Sequence, residues 1–400
     1  MSLLAPIRVL DLGGDWGGLP GKILAEMGAE VIRIEPPGGD PARHRAPVAG
    51  GVGLPWTAFN LSKHSVTVDI AAPEGQAMLL DLAASADALI ESFPPGHLAS
   101  LGLAPEALIR RHPSLVVTSL TAFGQTGPRA GDPASDTTVM ALSGLMAVTG
   151  FAGLPPLRLG VDQITSLAGL QAALGTLMAL YARGADGLGQ HVDVSALDAA
   201  RLANYREPLR WEFQEAVETR RGNLARRGKG GFTSTIWECR DGWITWSASD
   251  DHKRARSLFD TAHAEGLATD WADHDFGTEL PADMDQSRID ALEAAIAPFF
   301  RRYTRDELEA MARDKGWILI GFLDMAEAMA QPQLAARGFW TEEQVGHLRL
   351  PVPAHPFVTS TDQPGHRGPA PEPGADNDTI WGALGRTPQE LDRLRARGVI

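Results

Sequence analysis

The sequence predicts an α/β fold: a large domain built on a mostly parallel sheet with helices on both faces, and a smaller α+β domain. Three observations carry this expectation. Over the first 120 residues, short apolar runs alternate with segments of helical spacing, and glycine or proline marks the joins between them. Near residue 220 the composition changes. At 400 residues the chain is also longer than one domain of ordinary size. Strands alternating with helices at this spacing form βαβ units, whose crossovers cover both faces of a sheet.

Taken in order, Arg8 to Leu12 is a short apolar strand, followed by a loop running from Gly13 to Gly18. Pro20 to Met27 has helical spacing with proline in its first turn, and Gly28 stops it. Glu30 to Glu35 is a second strand, closed by Pro36-Pro37-Gly38-Gly39. Further strands are expected at Ser65–Ile70, Ala88–Ser92 and Leu115–Leu120, with helices after Pro73 and over Pro105–Arg111. A helix over Ala168–Arg183, a strand at Gln190–Ser195 and one long helix from Ala196 to about Arg220, perturbed at Pro208, complete the first part.

The stretch from Arg220 to Gly231 is basic, glycine-rich and without apolar periodicity, so it reads as an exposed loop. Thr235–Arg240 and Trp243–Ser249 flank Asp241-Gly242, a type I′ hairpin signal. Helical patterns fill 252–330, Pro351 to Pro373 is rich in turns, and Pro388–Arg397 is a closing helix. The expected division is a large domain of residues 1–200 with 330–400, a small domain at 225–325, and a connecting helix and linker at 201–224.

Composition narrows the function. Fifty acidic against 36 basic residues give a net charge of −14, which argues against nucleic acid and anionic membrane as partners. A single cysteine, Cys239, excludes an intramolecular disulfide and a cysteine-rich metal or iron–sulfur site. The opening MSLLAPIRVLDLGG has no basic region followed by a long apolar stretch, so the expected location is the cytoplasm. The longest apolar run, Leu167 to Ala182, contains Gln171, falls short of a bilayer span and reads as a buried helix.

Familiar motifs fail on inspection. The first loop reads GGDWGGLPG, without the G-x-G-x-x-G register that a dinucleotide needs, so Glu35 reads as a solvated strand end and not as a ribose ligand. From Gly222, five residues precede Gly228-Lys229 where a phosphate loop has four, and Gly230 stands where Ser or Thr would bind magnesium. His191 and Asp193 share a strand face, which suits a sheet-face pair better than a metal site, and no metal is expected.

What rises above this background is a set of segments in order: RVLDL…GG…AEMGAEVIRIEPPGGDPAR, FNLSKHSVTVDI, DALIESFPPGHLASLGL, SLTAFGQTGP, AGLQAALGTLMALYARGADGLGQHVDVS and PQELDRLRARGVI. Together they resemble the class III coenzyme A transferase family (CaiB/BaiF type), which includes formyl-CoA and carnitine-CoA transferases and α-methylacyl-CoA racemases. The resemblance implies a Rossmann-like large domain, an interlocked homodimer, and coenzyme A bound as substrate with no tightly held cofactor. It also implies CoA contacts at Asp15, Trp16 and Gly17, at Lys63, at Ser92, Phe93 and Pro94, and at Thr121 and Phe123. Coenzyme A carries roughly four negative charges, so cationic side chains and helix N-termini are the groups that suit it. The expected reaction moves coenzyme A from an acyl-CoA thioester to a carboxylic acid through a covalent aspartyl intermediate.

The departures from the family are specific. Counting back from Gly169 and Gly175, the position of the family's nucleophilic Asp holds Thr165, and the nearest carboxylate is Asp162, the candidate nucleophile. Asp162 also suits a helix N-cap. Ser100 and Thr121 stand where basic residues are often found, and Phe123 where racemases carry a catalytic His. Two other readings therefore stay open: a CoA-binding subunit lacking its nucleophile, or an acyl-CoA lyase, isomerase or racemase that uses groups such as Asp136. Gly228–Gly231 resembles a loop that closes over the intermediate and excludes water. The acidic total requires a local basic lining, for which Arg43, Lys63, His64 and the Arg220–Lys229 stretch are the supply.

Overall fold

The computed structural model describes residues 2–14, 16–227, 231–247, 251–345, 348–354 and 357–400. The chain forms two compact units, the first comprising Met1–Ala147, Leu157–Glu218 and Pro332–Ile400, the second Val148–Pro156 and Thr219–Gln331.

The first unit is built on six strands: β1 (Arg8–Leu12), β2 (Glu30–Glu35), β3 (His64–Thr67), β4 (Ala88–Glu91), β5 (Val116–Thr121) and β6 (His191–Ser195). They lie in the order β3-β2-β1-β4-β5-β6, and every pairing is parallel. Parallel strands are buried on both faces, which is why these read as continuous apolar runs. Val9, Leu10, Val31, Ile32, Leu89, Ile90, Val116 and Val117 are all fully buried. Strand order grows outward in one direction from β1 to β2 and β3, and in the other from β1 to β4, β5 and β6. The reversal falls between β1 and β4.

The helices of this unit include α1 (Gly18–Glu26), α2 (Leu54–Asn60), α3 (Pro73–Ala83), α4 (Pro105–Arg111), α5 (Asp136–Leu142), α6 (Gln163–Asp186) and α7 (Ala196–Leu202), followed by α8 (Arg206–Gln214), which buries no residue. Proline occupies the first turn of α3 and of α4, where its missing N–H costs nothing. The edge strand β3 is covered by the C-terminal segment. Asp376 accepts from the Ser65 amide at 2.8 Å and Asn377 from the Thr67 amide at 2.9 Å, while Trp381 is wholly buried.

Two expectations about helices change. The run expected from Ala196 to Arg220 is two helices, α7 and α8, broken at residues 203–205. The apolar helix begins at Gln163, five residues ahead of the expected Ala168, and is buried on one face only. That face carries Ala168, Gly169, Ala172, Ala173, Thr176 and Ala179, small enough to let α6 lie close to α1 and the sheet. Thr176 and Thr118 hydroxyls meet at 2.7 Å across this contact. The other face leaves Leu170, Leu174, Met178 and Tyr181 exposed. By length and composition α6 is the one described helix that could cross a membrane.

The second unit holds a three-stranded antiparallel sheet, Ile236–Cys239, Gly242–Trp246 and Leu319–Gly321, packed on helices His252–Ala264, Gln286–Arg302 and Arg305–Lys315. Its core is aromatic, with Trp237, Trp246, Phe259, Phe299 and Phe300 buried together. The expected hairpin is present with its turn one residue earlier, because Cys239 pairs with Gly242 and leaves Arg240-Asp241 as the two loop residues. The third strand, at Leu319–Gly321, lies in a region expected to be helical. The stretch read as an exposed loop contains the strand Leu224–Arg226, paired with Phe232–Ser234. In the first unit, the turn-rich tail is preceded by an antiparallel pair, Trp340–Val345 with Leu348–Pro353.

Candidate functional site

Open α/β sheets bind ligands outside the carboxyl ends of their strands, at the point where strand order reverses. Here that point lies between β1 and β4, and the loops that follow them are joined: the Gly14 amide donates to Ser92 Oγ at 2.6 Å. The glycines of the first loop serve close packing. A Cβ on Gly13 would lie 2.6 Å from the backbone of Gly17, so neither residue tolerates a side chain. This is what the failed dinucleotide register leaves unexplained: the loop folds back on itself.

Beneath the loop is a buried ion network. Lys63 Nζ donates to Asp11 Oδ2 at 2.6 Å, to the Gly18 carbonyl at 2.9 Å and to Asn60 Oδ1 at 3.0 Å. Asp11 Oδ1 accepts from the Gly13 amide at 2.8 Å and from Arg33 Nη1 at 3.1 Å. Arg33 also donates to the Gly13 carbonyl and pairs with Asp40. Burial pulls Lys63 down to about 8, against the opposing pull of the Asp11 carboxylate. Lys63 is therefore not at a phosphate, since its three protons are spent inside the protein. It anchors the loop and the start of α1. Gly21 of α1 passes so close that a Cβ there would sit 2.2 Å from Asp11 Oδ2. Gly21→Ala is expected to destabilise the first unit by about 1–3 kcal/mol, the usual cost of overpacking; an unchanged urea midpoint would contradict this packing.

Glu35 also corrects its expectation. It is buried, not solvated, and accepts from Arg43 at 2.7 Å twice, from Ser65 Oγ at 2.7 Å and from the Asp40 amide at 2.9 Å. Burial alone would raise its carboxyl, but these hydrogen bonds outweigh it and hold the group below the usual range. His64 is likewise engaged, with Asp376 at 3.0 Å. The expected basic lining of Arg43, Lys63 and His64 is thus paired with acids.

A cleft of about 510 Å³ opens beside this network, between the Gly13–Leu19 segment, residues 40–60 and the strap 158–166 that leads into α6. Asp162 and Thr165 both line it. Because α6 starts at Gln163, Asp162 is its N-cap residue, while Thr165 lies inside the first turn. The Asp162 side chain makes no capping hydrogen bond. Thr165 is committed: its amide and hydroxyl both donate to Asp136 Oδ2, at 2.8 and 3.2 Å. The preceding residue, Val161, has φ +56°. A β-branched residue pays about 1–3 kcal/mol for that left-handed backbone, a strain that recurs at functional sites. The positive end of the 24-residue α6 favours negative charge at this point.

The other expected contact residues lie outside this cleft but share the carboxyl edge of the sheet. Gly17 caps α1, and Trp16 and Phe123 pack on the core that holds α5 and α6. Ser92, Phe93 and Pro94 follow β4, with the Phe93 ring 4.7 Å from that of His97. Thr121 ends β5 and is buried, and its hydroxyl has no partner among the described residues. Asp15 and Gly228–Gly230, Lys229 included, lie outside the described residues. His191 and Asp193 go separate ways, His191 to Ser119 Oγ at 2.9 Å and Asp193 to the Gln125 amide. Among the described residues no group of three or more His, Cys, Asp or Glu gathers as metal ligands do.

Sequence reasoning missed Asp11, Arg33 and Arg158. The first two had a signal, since a charge in the middle of a buried strand requires a partner. Arg158 had none, because only the fold brings the strap to the cleft wall.

Comparison with known proteins completes the picture. The family described as CoA-transferase family III matches residues 4–377. The chain is 31% identical over 413 residues to succinyl-CoA:(R)-benzylsuccinate CoA-transferase subunit BbsE of Thauera aromatica, covering 98% of this chain and 97% of that protein. It is 32% identical over 408 residues to succinyl-CoA--D-citramalate CoA-transferase of Chloroflexus aurantiacus, covering 99% and 98%. The crystal structure of a CAIB/BAIF family protein from Brucella suis superimposes with a TM-score of 0.83 at 26% identity, over 96% of this chain and 99% of that one.

Proposed function

The chain belongs to CoA-transferase family III, and we propose that Asp162 is the nucleophile by which it works. It is an enzyme, a CoA transferase that moves coenzyme A from an acyl-CoA thioester to a carboxylic acid. The observation that carries the role of Asp162 is its position: an N-cap carboxylate in the cleft, without a capping bond, one turn ahead of a threonine tied to Asp136.

In this reading the Asp162 carboxylate attacks the thioester carbonyl, and the C–S bond breaks to give a mixed anhydride and CoA thiolate. The thiolate attacks the aspartyl carbonyl of the anhydride, releasing the first acid and leaving an aspartyl thioester. The acceptor carboxylate then displaces the thiolate, and the thiolate attacks the acceptor's carbonyl in the new anhydride, which frees Asp162. Coenzyme A itself lies along the carboxyl edge between β1 and β4, over the Gly14–Ser92 bridge. Hydroxylamine added during turnover should convert the peptide bearing Asp162 to a hydroxamate. Modification of another carboxylate, or of none, would remove the assignment.

A second reading has its own observation. Thr165 stands where the resemblance expects the family's nucleophile, with its hydroxyl already spent on Asp136, and three relatives are named as subunits. Here the chain would bind coenzyme A beside a catalytic paralogue. Purified chain that binds coenzyme A yet exchanges none by itself would favour it.

For the oligomer, the exposed stripe Leu170, Leu174, Met178 and Tyr181 on α6 supports a homodimer. Met178→Asp with Tyr181→Asp should shift the protein to monomer in sedimentation velocity; an unaltered dimer would move the interface elsewhere. The reading places the protein in the cytoplasm.

A further inference from the structure

A helix that begins after an aspartate normally uses it. Asp285 and Asp324 precede helices with extended backbone, ψ 169° and 177°, and each side chain accepts from the amide three residues on. That amide is one of four that a helix leaves without an internal partner. Asp162 stands in the same place before α6 and departs from this pattern twice. Its backbone lies at φ −89° and ψ 75°, next to the left-handed Val161, and its side chain makes no capping bond. The amide it would serve, that of Thr165, donates instead to Asp136 Oδ2 at 2.8 Å.

Asp136 is available for this because its own helix does not need it. It opens α5, but the cap of α5 is Ser135, whose side chain accepts from the Thr138 amide. Asp136 Oδ1 has no partner among the described residues. We propose that Asp136 is a surrogate cap, a positioning residue that closes the first turn of α6 in place of Asp162 and so leaves the Asp162 carboxylate uncommitted in the cleft. This rests on the reading of Asp162 as nucleophile and says what keeps it reactive. A carboxylate that accepts a charge-assisted bond from a helix amide is lowered in energy, and that bond must weaken before the oxygen can attack a carbonyl. With the cap supplied from α5, Asp162 has no such bond to give up.

Two substitutions at position 136 separate the cap from the charge. In Asp136→Ala the Thr165 amide loses its acceptor and Asp162 is recruited to it. In Asp136→Asn the charge goes but an accepting oxygen stays. Urea midpoints are measured for each, with and without Asp162→Ala. Asp162→Ala should cost about 0.3 M more in the Asp136→Ala background than in the Asp136→Asn background, the size of one lost N-cap. In Asp136→Ala alone, kcat should fall by about 10–100-fold with the KM for the thioester unchanged, the rate equivalent of one charge-assisted hydrogen bond. In Asp136→Asn it should stay within about threefold of the wild type, because the accepting oxygen is kept.

Equal costs of Asp162→Ala in the two backgrounds overturn the surrogate cap, and equal kcat in the two variants overturns its positioning role. If Asp136→Ala does not fold, Asp136→Asn decides: near-normal kcat supports the proposal, and a loss as large as that expected of alanine overturns it. The midpoints need no turnover. Transfer retained in Asp162→Asn would remove the nucleophile and leave the capping result standing, whereas uncoupled midpoints beside an inactive Asp162→Asn would remove this proposal alone.

Discussion

Asp162→Asn should lower CoA transfer by about 10,000-fold or more, the scale on which enzymes lose rate when a covalent nucleophile is removed. The amide keeps the shape of the side chain and cannot form the anhydride. Folding should be unaffected, because the carboxylate caps nothing and lies exposed at the start of α6; its thermal midpoint should match the wild type. Thr165→Ala is the contrasting variant. It loses one hydrogen bond to Asp136 but keeps the amide bond to the same oxygen, so turnover should stay within about tenfold, the worth of one such bond. Retained transfer in Asp162→Asn would sink the assignment, as would a loss in Thr165→Ala of the same size.

Lys63→Met should destabilise the first unit by about 3–5 kcal/mol, the usual result when one partner of a buried pair is removed. Asp11 would keep Arg33 and the Gly13 amide but lose its 2.6 Å ammonium contact, and the Gly18 carbonyl and Asn60 would lose their donor. The loop over the proposed CoA site would loosen with it, so the KM for the thioester should rise more than kcat falls. The sign of the pH effect follows from the position of Lys63 near 8, below its free value of 10.5. Between those values the unfolded chain binds a proton that the folded chain does not, so stability rises with pH in that window. The gap between wild type and Lys63→Met should therefore widen from pH 8 to pH 10 in denaturant unfolding. A loss below about 1 kcal/mol, typical of a surface pair, would show that the network contributes little.

The parallel sheet was legible because its strands are buried on both faces and therefore apolar throughout, as in Val116-Val117 and Val31-Ile32. Arg8–Leu12, Glu30–Glu35 and Pro105–Arg111 have the bounds their sequences suggest. The start of α6 was misread because Gln163, Ile164 and Thr165 carry no apolar period of their own. Their helical state is fixed from outside, by Asp136 reaching the Thr165 amide. The same applies to Lys63. Its neighbours in sequence suggest a solvated loop, and only the approach of β1 and α1 turns it into a buried anchor. Antiparallel pairs such as Trp340–Val345 with Leu348–Pro353 were missed for a related reason, since prolines at 351 and 353 read as turns when they sit at a sheet edge.

The clamp between Asp136 and Thr165 also bears on how such a chain changes over time. Thr165→Asp would put a carboxylate where the resemblance expects the family's nucleophile, yet it would set that charge directly against the Asp136 carboxylate. That change can be accommodated only if position 136 gives up its charge first, or together with it. The order of substitutions is thereby constrained: Thr165→Asp alone is opposed by Asp136, while the pair with Asp136→Asn is open. The two positions form an epistatic couple one turn beyond Asp162.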